Sequence, residues 1–382
     1  MKVSFEAQLL LEAEKTGIGW MADRLLREMR RMVPDWELQL NYFKLRGHGE
    51  GRPAAMQEYA DLGFGDHCAF YSYSLYKMMW NLLPIPYSHF FGKDSDITFF
   101  FNYYIPPGVK GRKVTVFHDM GYKVFPETIR KRTMMMLNAN MDTACKRADK
   151  IVTVSEFTKQ ETAKYLGVDP DRMVVMHLGV NRDVFHPNHS EEQVAAVREK
   201  YGIPREYLLY LGTLEPRKNI ERIISGYGAV KHTNSDVPKL VLAGRKGWMY
   251  DSIFEQVKRL HLEEEVIFTG YIDRDEPPLL LKGAVAFLFP SLYEGFGIPP
   301  LEAMACGTPV ISSNVSSIPE VVGDAGILVD PYSDEAIADG IRRVLDDREL
   351  RMQMSEAGLK RANGFTWEKG AKILLDVLKS LQ

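Results

Sequence analysis

Cysteine is scarce in this sequence: Cys68, Cys145 and Cys306 are the only three in 382 residues. An odd, scattered set offers neither a disulfide framework nor metal-ligand spacing, and it fits a reducing compartment. Net charge is almost absent as well. Lys and Arg total 48 against 51 Asp and Glu, leaving −3, which excludes a bulk electrostatic drive onto nucleic acid. No stretch approaches the roughly 18 apolar residues of a membrane span. The opening MKVSFEAQLLLEAEK is interrupted by Glu6, Glu12 and Glu14, so it does not form the apolar core of a secretory signal. Low-complexity tracts and short repeats are missing too. These absences point to a cytoplasmic protein with no nucleic-acid partner, touching a membrane at most peripherally, at its inner face.

What is present is the balance of a globular enzyme, 45% hydrophobic and 26% charged. At about 100–200 residues per domain the length suggests two domains. Short apolar runs alternate with longer amphipathic segments, the pattern of βαβ units and parallel sheets. Strands are expected at 97–102, 114–118, 150–155 and 172–177, then at 207–212, 239–244, 265–270, 285–290 and 308–313. Pro187, Asn188, Glu191, Glu192 and Pro204 mark a break. It divides the chain into a first domain, 1–190, and a second, 191–367. The final segment, 368–382, carries Ile373, Leu374, Val377, Leu378 and Leu381 at helical spacing and can pack back on the first domain.

The most informative stretch is FLFPSLYEGFGIPPLEAMACGTPVISSN, 287–314. A strand ends at Pro290, a glycine-bearing loop follows, and Pro299 and Pro300 open a short helix. Glu294 falls in the loop and Glu302 in the first helical turn. Two carboxylates placed so can accept hydrogen bonds from vicinal hydroxyls, while the N–H groups of Gly295, Phe296, Gly297 and Ile298 face an anion. A bare glutamate pair would be a loop and a helix-dipole partner; the GFG loop, the prolines and the flanking strands reverse that preference.

YLGTLEPRKNI, 210–220, again ends a strand and starts a helix. Arg217 and Lys218 there oppose the helix dipole unless an anion is bound, which points to a diphosphate. KTGIGWMADRLLREM, 15–29, puts Gly17 and Gly19 just before an amphipathic helix. It also matches the dinucleotide fingerprint, but the charged segment Glu12–Lys15 intervenes where a strand should end. VTVFHDMGYKVFPE, 114–127, leaves His118 at a strand's carboxyl edge, able to donate to a sugar hydroxyl, with Asp119 to orient it or to cap the next segment. Ser155 reads as a helix cap. Asp94-Ser-Asp96 is similar to a metal-binding Asp-x-Asp, yet the same spacing recurs at Asp169 and Asp273, and a turn is preferred; no metal site is expected. Arg130, Lys131 and Arg132 beside Met134–Met136 suggest either a lipid-facing surface or, preferred, a core-facing helix with a solvated basic end.

The 287–314 segment resembles the Glu-x7-Glu motif of family 4 retaining glycosyltransferases, and SSIPEVVGDAGILVDPYS, 316–333, extends the likeness. The resemblance implies an α/β protein of GT-B type, with two doubly wound Rossmann-like domains facing across a cleft. It implies transfer of a hexose from a nucleotide sugar without metal or cofactor, with Glu294 at the donor sugar and Glu302 at the ribose. Lys218 matches the family lysine that neutralises the diphosphate; the family arginine commonly falls where this chain has Thr213. Arg217, or Arg245 or Lys246, is then left to supply the second cation. Tyr271 lies in the stretch that cradles the base, His118 lines the sugar pocket, and Gly17 and Gly19 face the phosphates and acceptor. The wording GTLEPRKN resembles bacterial mannosyltransferases, so GDP-mannose is the favoured donor and a glycan or lipid-linked glycan the expected acceptor. A nicotinamide-dependent oxidoreductase and a non-catalytic nucleotide-sugar-binding subunit are the rival readings.

Overall fold

Strands form where β-branched and aromatic residues concentrate in short runs that can be buried on both faces. In the computed structural model, which describes residues 1–12, 15–45, 52–79, 84–129 and 131–382, thirteen strands among the described residues assemble two parallel sheets. The runs at Ile97–Phe100 and Ala286–Phe289 are buried at every position. Glu14, Arg130 and the side chain of Arg132 lie outside the described residues.

The chain divides into two compact units. Met1–Lys123, Ile129–Gly179 and Trp367–Gln382 make the first; Val124–Thr128 and Val180–Thr366 make the second. The passage at Gly179 comes earlier than 190, because the intervening residues bond to the second unit. Val180 N–H donates to the Phe365 carbonyl at 3.2 Å, and Arg182 hydrogen-bonds Asn363. The helix Trp367–Lys379 belongs to the first unit and buries Leu374, Leu375, Val377 and Leu378. Its Gly370 lies against Leu25 on the helix Gly17–Met32. Each such fully buried leucine contributes about 1.5–3 kcal/mol.

In the first unit the strands are β1 (Lys2–Glu6), β2 (Glu37–Lys44), β3 (Gly65–Phe70), β4 (Ile97–Phe100), β5 (Arg112–Phe117), β6 (Lys150–Thr153) and β7 (Met173–Val175), in the order β3-β2-β1-β4-β5-β6-β7. In the second they are β8 (Tyr207–Leu211), β9 (Lys239–Ala243), β10 (Val266–Gly270), β11 (Ala286–Phe289), β12 (Val310–Ser313) and β13 (Ile327–Val329), ordered β10-β9-β8-β11-β12-β13. Strand order reverses between β1 and β4 in one sheet and between β8 and β11 in the other. Such switch points open a crevice at the carboxyl ends of the strands, where open α/β sheets hold ligands.

Four strands escape the apolar-run pattern: β1, β2, β3 and β13. Lys2, Ser4 and Glu6 alternate with Val3 and Phe5 in β1, whereas β3 is an edge strand whose Asp66 and His67 are only half-buried. β13 has only three residues.

Candidate active site

The β8 and β11 ends are stitched together by their own loops. Leu292 N–H donates to the Arg217 carbonyl at 2.9 Å, and the Arg217 guanidinium returns a bond to the Tyr293 carbonyl at 2.6 Å. Asn219 sits between the turn Pro216–Lys218 and the helix Ile220–Lys231 with φ at 61°, a conformation that asparagine tolerates better than most residues. Its buried amide donates to the carbonyls of Pro290 (2.9 Å) and Pro331 (2.7 Å), closing three loops on one side chain.

This scaffold buries a charged pair. Lys218 Nζ stands 2.7 Å from Glu294 Oε1, and Arg217 Nη1 stands 3.1 Å from Oε2. Burial alone would raise the Glu294 carboxyl; the two cations outweigh it and hold it at about 2. Arg217 also pairs with buried Glu215 at 2.8 Å. Its guanidinium braces Glu215, Tyr293 and Glu294, whereas Lys218 meets one carboxylate among the described residues, with the Phe289 ring 5.0 Å away.

Ser316 and Ser317 hold the glutamate loop from behind. Glu294 N–H donates to Ser316 Oγ at 3.2 Å, and Ser317 Oγ donates to the carbonyls of Glu294 and Phe296 at 2.9 and 2.7 Å. Gly297, at φ 117°, begins the helix Ile298–Ala305, and a Cβ there would stand 2.8 Å from Ile318. The tandem prolines modify the expected anion site. Pro299 and Pro300 carry no N–H, so the helix start offers an anion only Ile298 from its first three positions. The Phe296 ring packs edge-on against Phe365.

Glu302 falls a full turn into that helix, not at its start. Half-buried, with no ion-pair partner among the described residues, its carboxyl is pushed by burial up to about 8. Thr213 is exposed just past β8. Beside it, Gly244 approaches Gly212 so closely that a Cβ would meet the Gly212 carbonyl at 1.9 Å. Arg245 lies over the exposed ring of Tyr271, 4.0 Å from its centroid, whereas Lys246 is drawn to Tyr250 and Phe254. The site of the second unit thus groups Arg217, Lys218, Glu294 and Ile298 at the switch point, with Arg245 and Tyr271 beyond β9 and β10.

In the first unit, His118 follows β5 and its Nε2 lies 2.8 Å from the Phe101 carbonyl. A carbonyl only accepts, so Nε2 carries the proton; burial lowers the ring's pKa and favours the neutral form. That tautomer leaves Nδ1 as an acceptor, the reverse of the donor role read from the sequence. Asp119 accepts from Gly121 N–H at 2.8 Å and caps the next turn. Gly17 and Gly19 lie inside the first helical turn instead of before it, and Gly19 N–H is taken by Thr16 Oγ1. β1 ends at Glu6 and a turn, Gln8–Leu11, follows, so no glycine directly leaves a strand. Ser155 caps its helix. Asp96 binds Lys2 N–H at the amino end of β4, the edge opposite His118. On the helix Lys131–Arg147, Met134 packs on the core while Met135 is 69% exposed.

No described helix is long and apolar enough to cross a membrane. The sequence matches the model of group 1 glycosyl transferases over residues 193–361 and that of glycosyltransferase family 4 over 71–184. It is 35% identical to O-antigen chain mannosyltransferase B of Escherichia coli over 281 residues, 73% of each chain. It is 32% identical to a serotype-specific mannosyltransferase of Escherichia coli over 60% of this chain and 28% of that one. The structure of Anabaena HepE in complex with UDP and glucose matches with a TM-score of 0.73 over the whole of both chains, at 17% identity, a likeness of fold. Two models that between them span most of the chain, and an Escherichia coli relative matched over most of its own length, place this protein in glycosyltransferase family 4, as a hexosyltransferase of GT-B type akin to bacterial O-antigen mannosyltransferases.

Proposed function

We propose that the protein transfers mannose from GDP-mannose, with retention at the anomeric carbon, onto a glycan or lipid-linked glycan in surface-polysaccharide synthesis at the cytoplasmic face of a membrane. The observation that carries this reading is the buried Lys218–Glu294 pair at the β8/β11 switch point. A lysine held by one carboxylate beside a ligand crevice is a cation ready to be shared with an incoming diphosphate.

In this reading Lys218 meets the charge that develops on the departing diphosphate, a preorganised electrostatic role. Ile298 N–H adds a fixed dipole, and Arg217, which also holds Glu215 and the Tyr293 carbonyl, positions Glu294. Freed in part from Lys218, Glu294 accepts from hydroxyls of the donor sugar. Glu302, protonated near neutral pH, binds the ribose diol; Arg245 and Tyr271 border the base. Thr213, Gly295, Phe296 and Gly297 shape the phosphate crevice. His118 accepts from a sugar hydroxyl, with Asp119 fixing its loop and Gly17 and Gly19 opening the first-unit helix toward substrate. Protein cations and N–H groups supply what a divalent ion would. The mannosyl donor and surface-glycan acceptor are supported by the names of the relatives alone.

A thermal-shift panel of GDP, UDP, dTDP and their sugars tests the donor. At a hundredfold excess over Kd a ligand adds about 2.7 kcal/mol of stability, so GDP-mannose should stand out. Slow hydrolysis of GDP-mannose in the presence of EDTA, lost in Lys218→Ala and Glu294→Ala, tests the chemistry. Hydrolysis that requires added Mg²⁺ or survives Lys218→Ala would overturn the reading.

A further inference from the structure

β10 ends irregularly. Phe268 pairs with Leu242 but Gly270 pairs with Ala243, so Thr269 is an extra residue, a bulge that bends the strand, and Gly270 follows at φ 72°. The bend leaves the Tyr271 ring half-exposed beside Arg245, while Ile272 turns inward and is buried. Residues 273–276 then lead into the helix Pro277–Gly283.

The side chains that hold this loop come from the end of the helix Glu191–Lys200. Tyr201 Oη donates to Glu276 Oε2 at 2.6 Å and accepts from Asp273 N–H at 3.3 Å. Lys200 Nζ stands 2.5 Å from Asp273 Oδ2 and 2.6 Å from Glu276 Oε1. Glu276 N–H closes the turn on the Asp273 carbonyl at 3.0 Å.

We propose that Tyr201 and Lys200 are positioning residues for nucleotide recognition. They lock the loop 271–276, and the lock sets where Tyr271 and Arg245 meet the base of a nucleoside diphosphate. This rests on the transferase reading above and deepens it by naming what fixes the base end of the donor.

The geometry supports this role in three ways. A guanidinium 4.0 Å from a ring centroid makes a flat stack that a planar base can extend. Recognition of that kind needs its groups held to within about 0.5 Å. The bulge and Gly270 supply a bend without stiffness, because glycine leaves the backbone its widest freedom. Stiffness therefore comes from contacts, and Glu276 receives one on each carboxylate oxygen. Among the described residues these two side chains reach Asp273, Glu276 and each other, not the Lys218–Glu294 pair. The lock thus acts on the base end and leaves the phosphate end alone.

Isothermal titration of the full chain with GDP, UDP and inorganic pyrophosphate tests the lock, with melting temperatures read on the same samples. Pyrophosphate carries the phosphates without a base. Tyr201→Phe removes one hydroxyl and Lys200→Met one charge. Each should weaken the tighter of GDP and UDP about fivefold, within the range of a single hydrogen bond, and narrow the preference between them. Pyrophosphate affinity should stay unchanged. Lys200→Arg, which can still bridge two carboxylates, should retain nucleotide affinity, whereas Tyr271→Ala should reduce it further. Should Tyr201→Phe melt early, Lys200→Met against Lys200→Arg still reads the contact at an exposed position. Nucleotide affinity that falls in Tyr271→Ala but not in Tyr201→Phe and Lys200→Met overturns the lock, and so does an equal loss for pyrophosphate. Affinity unchanged in Tyr271→Ala overturns the base assignment together with the lock. Binding of neither GDP nor UDP would instead overturn the transferase reading on which both rest.

Discussion

Lys218 and Glu294, separated by 76 positions in sequence, meet at 2.7 Å across the β8/β11 switch point. Removing one member leaves a buried charge without its partner, at a cost of about 3–5 kcal/mol, and the remaining Arg217 contact puts the expectation at the low end. Lys218→Met should accordingly lower the chemical unfolding free energy by about 3 kcal/mol. A Lys218→Met, Glu294→Leu double variant should regain much of it. Equal losses in the single and double variants would refute the pairing.

The same pair governs acid sensitivity. The Glu294 carboxyl is held at about 2 against an ordinary 4.5. Its contribution is fully present above pH 4.5 and is lost as pH falls toward 2. Lys218→Met should therefore start to unfold at a higher pH than the natural protein in an acid titration followed by circular dichroism.

Glu302 has the opposite dependence. Its carboxyl moves from 4.5 to about 8 on folding. Between those values the unfolded chain releases a proton that the native state keeps, so stability falls as pH rises through the window. Glu302→Gln should raise the melting temperature most at pH 8 and hardly at pH 4.5, while weakening nucleotide binding. Glu6, raised to about 7, should leave a residual slope of the same sign in that variant. Calorimetric melting temperatures from pH 4.5 to 9 check both.

Asn219 concentrates loop order in one amide. Asn219→Ala removes two hydrogen bonds from buried carbonyls and places a Cβ residue less suited to φ 61°. At about 1–3 kcal/mol for each buried group left unsatisfied, the variant should lose roughly 2–4 kcal/mol of stability in urea. Asn219→Asp, which keeps shape but loses the donor, should behave like alanine.

Gly297→Ala should be folded but impaired. The strained φ and the 2.8 Å approach to Ile318 would shift the start of the helix Ile298–Ala305. Donor affinity should fall more than melting temperature, read by isothermal titration with GDP; an unchanged affinity would remove Gly297 from the donor site.

Much of the second unit was legible in one dimension because its strands β8, β9 and β11 carry apolar runs of four or five residues, and burial on both faces demands that pattern. The motif carrying Glu294 and Glu302 was legible for a related reason: loop glycines and helix-opening prolines obey local backbone rules. The strands β1 to β3 were not, since Glu6, Gln39, Asp66 and His67 interrupt their apolar residues. Asn219, Ser316 and Ser317 also stayed hidden, because they act through backbone groups distant in sequence, carbonyls for Asn219 and Ser317 and the Glu294 N–H for Ser316.

By itself the sequence determined the α/β class, the family, and which residues carry charge beside glycine and proline turns, because these depend on composition and short-range geometry. Tertiary structure alone decided how those charges are used. It set Arg217 to brace Glu215 and Glu294, left Lys218 with one carboxylate, turned the His118 Nδ1 into an acceptor and raised Glu302 by burial. The physical reason is that ion pairing, desolvation and tautomer choice depend on distances between segments that only the packed sheets bring together.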